Sequence, residues 1–274
     1  MTADDLRAKI AAMPYMTPAN QGEYTYENPN TGVYCMVGNE RVAEPAKGFR
    51  SLDMAFMVNY ARPAFFAEEL FAMIAGVASE NGLLLDNEQS GRPAKFDADK
   101  MTKEWLRTND KFVREVVIKR GADSEAARQP RTAAMEQWRF LYNLDQQQAQ
   151  IGEAVYVARL FYFADEAGKL VTAATWPDCI PIVVPPHTDY LIGMQTKKKW
   201  FKTEQVQHGM FKVARLLTEF PGAFQKQKDG SFMLGQAEAD KIREEVLSLK
   251  PDLAPGVMPG TAISPDRIID VPAA

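Results

Sequence analysis

LDMAFMVNY, ARP, AFFAEELFAMIAGVASENG and LLLD, read without a gap from Leu52 to Asp86, form the stretch whose reading decides the fold. The apolar run ending at Asn59-Tyr60 suits a largely buried strand. Pro63 follows, and proline fits the first turn of a helix because its missing N–H would have no partner there. Phe66, Leu70, Met73, Ile74 and Val77 then recur at three- and four-residue steps, the stripe of a helix against a core. Asn81-Gly82 stops that helix, and Leu83 to Leu85 reads as a short strand. The unit is strand–helix–strand, a scaffold and not an active site.

Upstream, Leu6, Ile10 and Met13 place an amphipathic helix over residues 3–13, ended by Pro14 and Pro18. EYTYENPNTGVYCMV (Glu23 to Val37) has two alternating runs around Asn28-Pro29-Asn30-Thr31-Gly32, a hairpin signal. Downstream, Asp97 or Asp99 caps a helix to about Arg120 with Met101, Trp105, Phe112, Val116 and Val117 on its buried stripe. Gly121 to Pro130 reads as a mobile connection. Thr132 caps a further helix to about Gln150, with Met135, Trp138, Leu141, Tyr142 and Leu144 inward.

The second half turns to strands. VYVARLFYFAD and LVTAATW flank the turn Glu166-Ala167-Gly168-Lys169, and CIPIVVPP and DYLIGMQ add two more candidates. Val206, Met210, Val213, Leu217 and Phe220 have helical spacing, as do Ala239, Ile242, Val246 and Leu249. Residues 251–274 form a Pro/Gly-rich tail in which RIIDV reads as a docked edge strand. The expectation is one α+β domain over residues 1–274, an antiparallel-rich sheet with helices packed on it.

The chain has 274 residues, 46% apolar and 25% charged, ordinary for a soluble globular protein. Thirty-two basic against thirty-six acidic residues give a formal charge of −4, so bulk charge does not point to nucleic acid. No run approaches the roughly 18 apolar residues of a membrane span, and the N-terminus lacks the apolar core of a signal peptide. Cys35 and Cys179, the only cysteines, sit in apolar runs and read as buried free thiols. A cytoplasmic location is expected.

Candidates for chemistry are few. His187 and His208 are the only histidines. His187 stands two residues from Asp189 at a strand end, where i and i+2 share a face and a base could meet its orienter. No nucleophile motif accompanies them. His208 reads as an exposed helical histidine. CxxC, HExxH and calcium-loop spacings are absent, and Asp86, Glu88, Asp97 and Asp99 read as caps and solvated charges before a metal site. No Gly-rich phosphate loop is present, so no cofactor is implied. Lys197-Lys198-Lys199-Trp200-Phe201-Lys202 is the one basic patch with aromatics, read as a solvated turn.

Three segments together resemble a known family: ENPNTGVY (Glu27 to Tyr34), NYARPAFFAEE (Asn59 to Glu69) and TAATWPDCIPIVVPPHTDYLI (Thr172 to Ile192). Their order and spacing are similar to bacterial type VI secretion immunity proteins, whose named members neutralise VRR-Nuc nuclease effectors. The similarity covers most of residues 20 to 200. It implies an α+β protein without catalytic activity that binds a cognate effector toxin and blocks its active site. The family motif carries no functional residues across. Electrostatic complementarity to a nuclease would call for acidic residues, and Glu23, Glu27, Asp86, Glu88, Asp165 and Glu166 are the candidates, with Tyr24, Tyr26 or Trp200 as an aromatic anchor. The competing readings are a small-molecule enzyme using His187 and Asp189, and a structural adaptor of a secretion machine, which a homo-oligomer would suit.

Overall fold

Thr2 opens the first helix as a capping box. Its hydroxyl accepts from the Asp5 N–H at 3.1 Å, and the Asp5 carboxylate accepts from the Thr2 N–H at 2.7 Å. That backbone bond holds the Asp5 carboxyl below its ordinary value. The helix, α1 (Ala3–Ala11), buries Leu6 and Ile10. The fold is given by a computed structural model that describes residues 1–20, 22–40, 47–86, 93–118, 126–199 and 202–271, with side chains at 116–118, 197–199, 202, 203 and 205 outside that description. The chain is α+β and divides into two compact units, Met1–Asp123 and Ser124–Ala274.

In the first unit, β1 (Met16–Pro18), β2 (Tyr24–Glu27), β3 (Tyr34–Asn39) and β4 (Met54–Met57) form an antiparallel sheet in chain order. The predicted hairpin is β2–β3, with Gly32 at φ 71° in its turn. The Leu52–Asp86 stretch departs from its reading at both ends. Its strand is an edge strand of four residues, half-buried and not core, because Asp53 at φ 52° and Ala61 at φ 57° turn the chain on either side of it. Leu83 to Leu85 is no strand; only Leu85 bridges, to Ala94. The Leu83 N–H is spent on the Ala78 carbonyl at 2.8 Å, closing α2 (Ala64–Glu80) as a Schellman cap with Gly82 at φ 61°.

Helix α2 is buried on most sides over its first two turns, and Phe66 and Leu70 are almost fully enclosed. Each such side chain contributes roughly 1.5–3 kcal/mol by leaving water. Asp97 caps α3 (Ala98–Phe112), which widens to a π-helix over Val113–Ile118. Trp105 joins Ala67, Phe71 and Ile74 in a core cluster. Phe112 is exposed, against expectation, and Asn109 holds the buried position instead. Asn109 is needed there: its Oδ1 accepts from the Ala61 N–H at 2.7 Å and its Nδ2 donates to the Arg62 carbonyl at 2.9 Å.

The second unit contains β5 (Ala127–Pro130), α4 (Arg131–Tyr142), α5 (Leu144–Ile151), β6 (Tyr156–Val157), β7 (Leu160–Ala164), β8 (Leu170–Pro177) and β9 (Ile182–Val184). These are followed by β10 (Tyr190–Lys199), β11 (Lys202–Lys212), α6 (Val213–Glu219), β12 (Phe224–Lys226), β13 (Phe232–Leu234), α7 (Gln236–Ser248), β14 (Thr261–Ile263) and β15 (Ile268–Val271). One sheet has the order β11-β10-β8-β7-β14, a second β12-β13-β9-β6, and β15 pairs with β5. Pairing is mainly antiparallel, with β8–β10, β6–β9 and β5–β15 parallel. Trp176, Ile182, Leu191, Phe211, Leu216 and Leu234 are at the centre of the core.

Three expectations are corrected here. Residues 127–130 form a strand and not a mobile connection, because RIIDV returns to pair with them, as its own reading required; residues 119–125 lie outside the described ones. The helix read from Thr132 to Gln150 is two helices, since Asn143 turns its side chain back on the Arg139 carbonyl and leaves helical geometry. Pro130, not Thr132, precedes the first of them, and Tyr142 faces solvent. The helical spacing from Val206 to Phe220 is split: Val206 and Met210 belong to β11, and only Val213–Glu219 is helix. Ten β10 partners outweigh a spacing that fits either structure. The tail also docks ahead of β15: Met210 donates to the Leu253 carbonyl at 2.9 Å and accepts from the Asp252 N–H at 2.9 Å, which covers part of the β11 edge.

Candidate functional site

Asn28 and Thr31 of the first motif segment, with Tyr26 just ahead of it, meet Glu69 of the second. This carboxylate is 2% exposed, and its Oε1 accepts from Tyr26 Oη at 2.8 Å, Asn28 Nδ2 at 2.8 Å and Thr31 Oγ1 at 3.2 Å. Asn28 Oδ1 accepts from the Asn30 N–H, and Thr31 Oγ1 accepts from the Val33 N–H. The turn of the hairpin is thereby locked to α2. Arg62, at the entry to that helix, donates to Tyr34 Oη at 2.8 Å and stands over the same ring. A buried carboxylate is tolerated because donors of fixed geometry surround it.

On the other face of that sheet, Glu27, Met36 and Met57 are exposed and Glu23 and Thr25 half-buried. Alternation along β2 sends Tyr26 inward to Glu69 and puts Glu23, Thr25 and Glu27 on the opposite side. Register then places Met36 beside Thr25 and Met57 beside Met36. Met36 is 45% and Met57 43% exposed. Gly38 lets the Met57 side chain lie across β3, since a Cβ there would come within 2.7 Å of Met57 Cε; Glu23 Oε1 lies on the same side, 4.0 Å from that position. Neither Glu23 nor Glu27 has a side-chain hydrogen bond or ion pair among the described residues.

The other sequence candidates have different surroundings. Asp165 is a turn former: its Oδ1 accepts from the N–H groups of Ala167 at 2.9 Å and Lys169 at 2.8 Å. Glu166 is exposed at the same turn, in the second unit. Asp86 is exposed in the first unit, next to the Leu85 bridge. Glu88 and Trp200 lie outside the described residues, as does the side-chain placement of the lysine patch. Asp97 caps α3. Among the described residues, no group of three or more metal-ligating side chains occurs.

His187 and Asp189 do not form the pair suggested by their spacing. His187 is at φ 56°, and its Nε2 is 2.6 Å from Glu136 Oε2 on α4. The Asp189 carboxylate accepts from the Thr172 N–H at 2.9 Å and Oγ1 at 3.1 Å. The i, i+2 rule requires extended backbone, and the left-handed residue in the Pro185–Asp189 turn removes that condition. Thr172 Oγ1 and Gln137 Nε2 hold the His187 carbonyl, at 2.7 and 3.3 Å. His208 lies on strand β11, not on an exposed helix, because it sits in the bulge opposite Gly193/Met194. The third motif segment is also structural: Trp176 Nε1 donates to the Ile180 carbonyl at 2.8 Å, and Asp178 accepts from the Thr196 N–H at 2.7 Å.

Both cysteines are free and buried. Burial raises the Cys35 thiol to about 12 and the Cys179 thiol to about 11, so neither is a thiolate at neutral pH. Glu23 and Glu27 were candidates from the sequence; Met36 and Met57, exposed on the same face, were not. The alternation of Tyr34 to Val37 carried the signal for Met36, since Cys35 and Val37 had to face one way. Compared with family models, curated proteins and solved structures, the chain matches none.

Proposed function

We propose that the chain is an immunity protein of the type VI secretion kind, which neutralises a cognate effector toxin by binding and occluding it and performs no reaction of its own. The observation that supports this reading is the use made of the motif residues. In the segments that carry the resemblance, Asn28, Thr31, Arg62, Glu69 and Asp178 build the frame, while Glu27 and other groups on the first sheet are left for a partner. An occluding protein needs a preorganised surface more than a reactive group. The cytoplasm of the producing cell is the expected site of action, and no helix among the described residues is long and apolar enough to cross a membrane.

Affinity capture of the tagged full chain from its native cell, with mass spectrometry of what is retained, tests this reading. The expected result is one tightly held protein that arrests growth when produced alone and is harmless when produced with this chain. Recovery of the chain alone, or a retained protein whose toxicity the chain leaves unchanged, contradicts it.

A further inference from the structure

From the geometry of the first sheet we infer that the face carrying Glu23, Glu27, Met36 and Met57 is the docking surface, and that its occupant is a protein with a basic surface around an apolar centre. This rests on the binding function proposed above. The Met36–Met57 pair supplies the apolar centre, exposed across two neighbouring strands. Methionine suits a contact that must mould itself to a partner. Glu23 and Glu27 flank Thr25 on the strand next to that pair, four residues apart, so their Cα atoms stand roughly 13 Å from each other. Neither carboxylate has a cation within ion-pair distance among the described residues. Two unsatisfied negative charges beside an apolar strip are complementary to lysine or arginine side chains. The Glu69 knot ties β2 and its turn to α2, which lowers the ordering cost of association.

The alternatives fit less well. Asp165 is already committed to its own turn. His187 and Glu136 satisfy each other. A second copy of this chain would bring Glu23 and Glu27 against an identical acidic face in a symmetric contact.

The test uses the full chain in four forms: unaltered, Glu23→Lys/Glu27→Lys, Met36→Gln/Met57→Gln, and the charge-matched control Glu244→Lys/Glu245→Lys on the exposed side of α7. Each is checked for an unchanged melting transition and then used to capture protein from the native lysate. The expected result is a retained, strongly basic protein. Its affinity should fall about tenfold or more in the first two variants and hold within about twofold in the control. Protection from hydrogen exchange should appear over residues 23–27, 34–38 and 54–57. Equal retention by all four forms, or protection only elsewhere, overturns the assignment of this face and leaves the binding function standing. Retention of a protein without basic character overturns the partner chemistry. No specific retention by the unaltered chain, or only of its own copies, overturns both.

Discussion

A single buried carboxylate explains why two distant sequence segments behave as one. Glu69 gathers Tyr26, Asn28 and Thr31, and without it three donors are left in an apolar setting. Glu69→Ala is therefore expected to cost about 3 kcal/mol or more, read as a fall in the urea midpoint. A change under about 0.5 kcal/mol would mean the knot carries no stability. The thiols give a second residue-scale prediction. Cys35 and Cys179 ionise at about 12 and about 11 in the fold, above their ordinary value of 9.0. A raised acid favours its neutral form when folded, so the stability it contributes is complete below about 9 and is lost as pH rises through the folded values. Unfolding midpoints should decline from about pH 9 upward, more for the native chain than for Cys35→Ala/Cys179→Ala. An aromatic disulfide reagent at pH 8 should label neither thiol until the chain unfolds. Stoichiometric labelling of the folded chain would contradict the burial. These two residues were legible in the sequence because apolar neighbours surround them. Glu69 was not, since its partners are some forty positions away and no local pattern names them.

At the scale of elements, one glycine inside α2 and one just past its end separate backbone conformation from packing. Neither Gly76 nor Gly82 has an atom within 4 Å of where a Cβ would stand. Gly82 is left-handed at φ 61° in the cap, so Gly82→Ala should destabilise by about 1 kcal/mol. Gly76 is inside the helix, so Gly76→Ala should stabilise by about 0.5–1 kcal/mol. Thermal melts of both variants decide this, and shifts of the same sign would refute the assigned cap. The helix and the β2–β3 hairpin were readable because their signals are local: a spaced apolar stripe, an Asn-Gly stop and an Asn/Gly turn. The strand β11 was misread because Val206, Met210 and Val213 satisfy helical spacing, while the β10 partner that decides the matter is invisible to periodicity. The break at Asn143 was missed for a similar reason. Its cause is one side chain bonding backward to Arg139, inside a run that is otherwise helix-compatible.

For the whole molecule, a net charge of −4 says little about where a partner binds. What matters is the placement of those charges, and the sheet register brings Glu23 and Glu27 beside Met36 and Met57. The acidic residues could be chosen from the sequence, but the apolar strip between strands could not, because Met36 and Met57 are joined only by the β3–β4 register. The pair of His187 and Asp189 was likewise a sequence expectation that a left-handed turn undoes. The central claim is that this chain acts by occupying its partner and not by chemical turnover. Its most direct test is titration of the captured effector's toxic activity in vitro with increasing amounts of the purified chain. The predicted result is a linear loss of activity that reaches zero near equimolar chain and does not deepen with longer incubation. Complete loss at a small fraction of equimolar, progressing with time, would contradict it, because only a catalyst inactivates many partners per molecule.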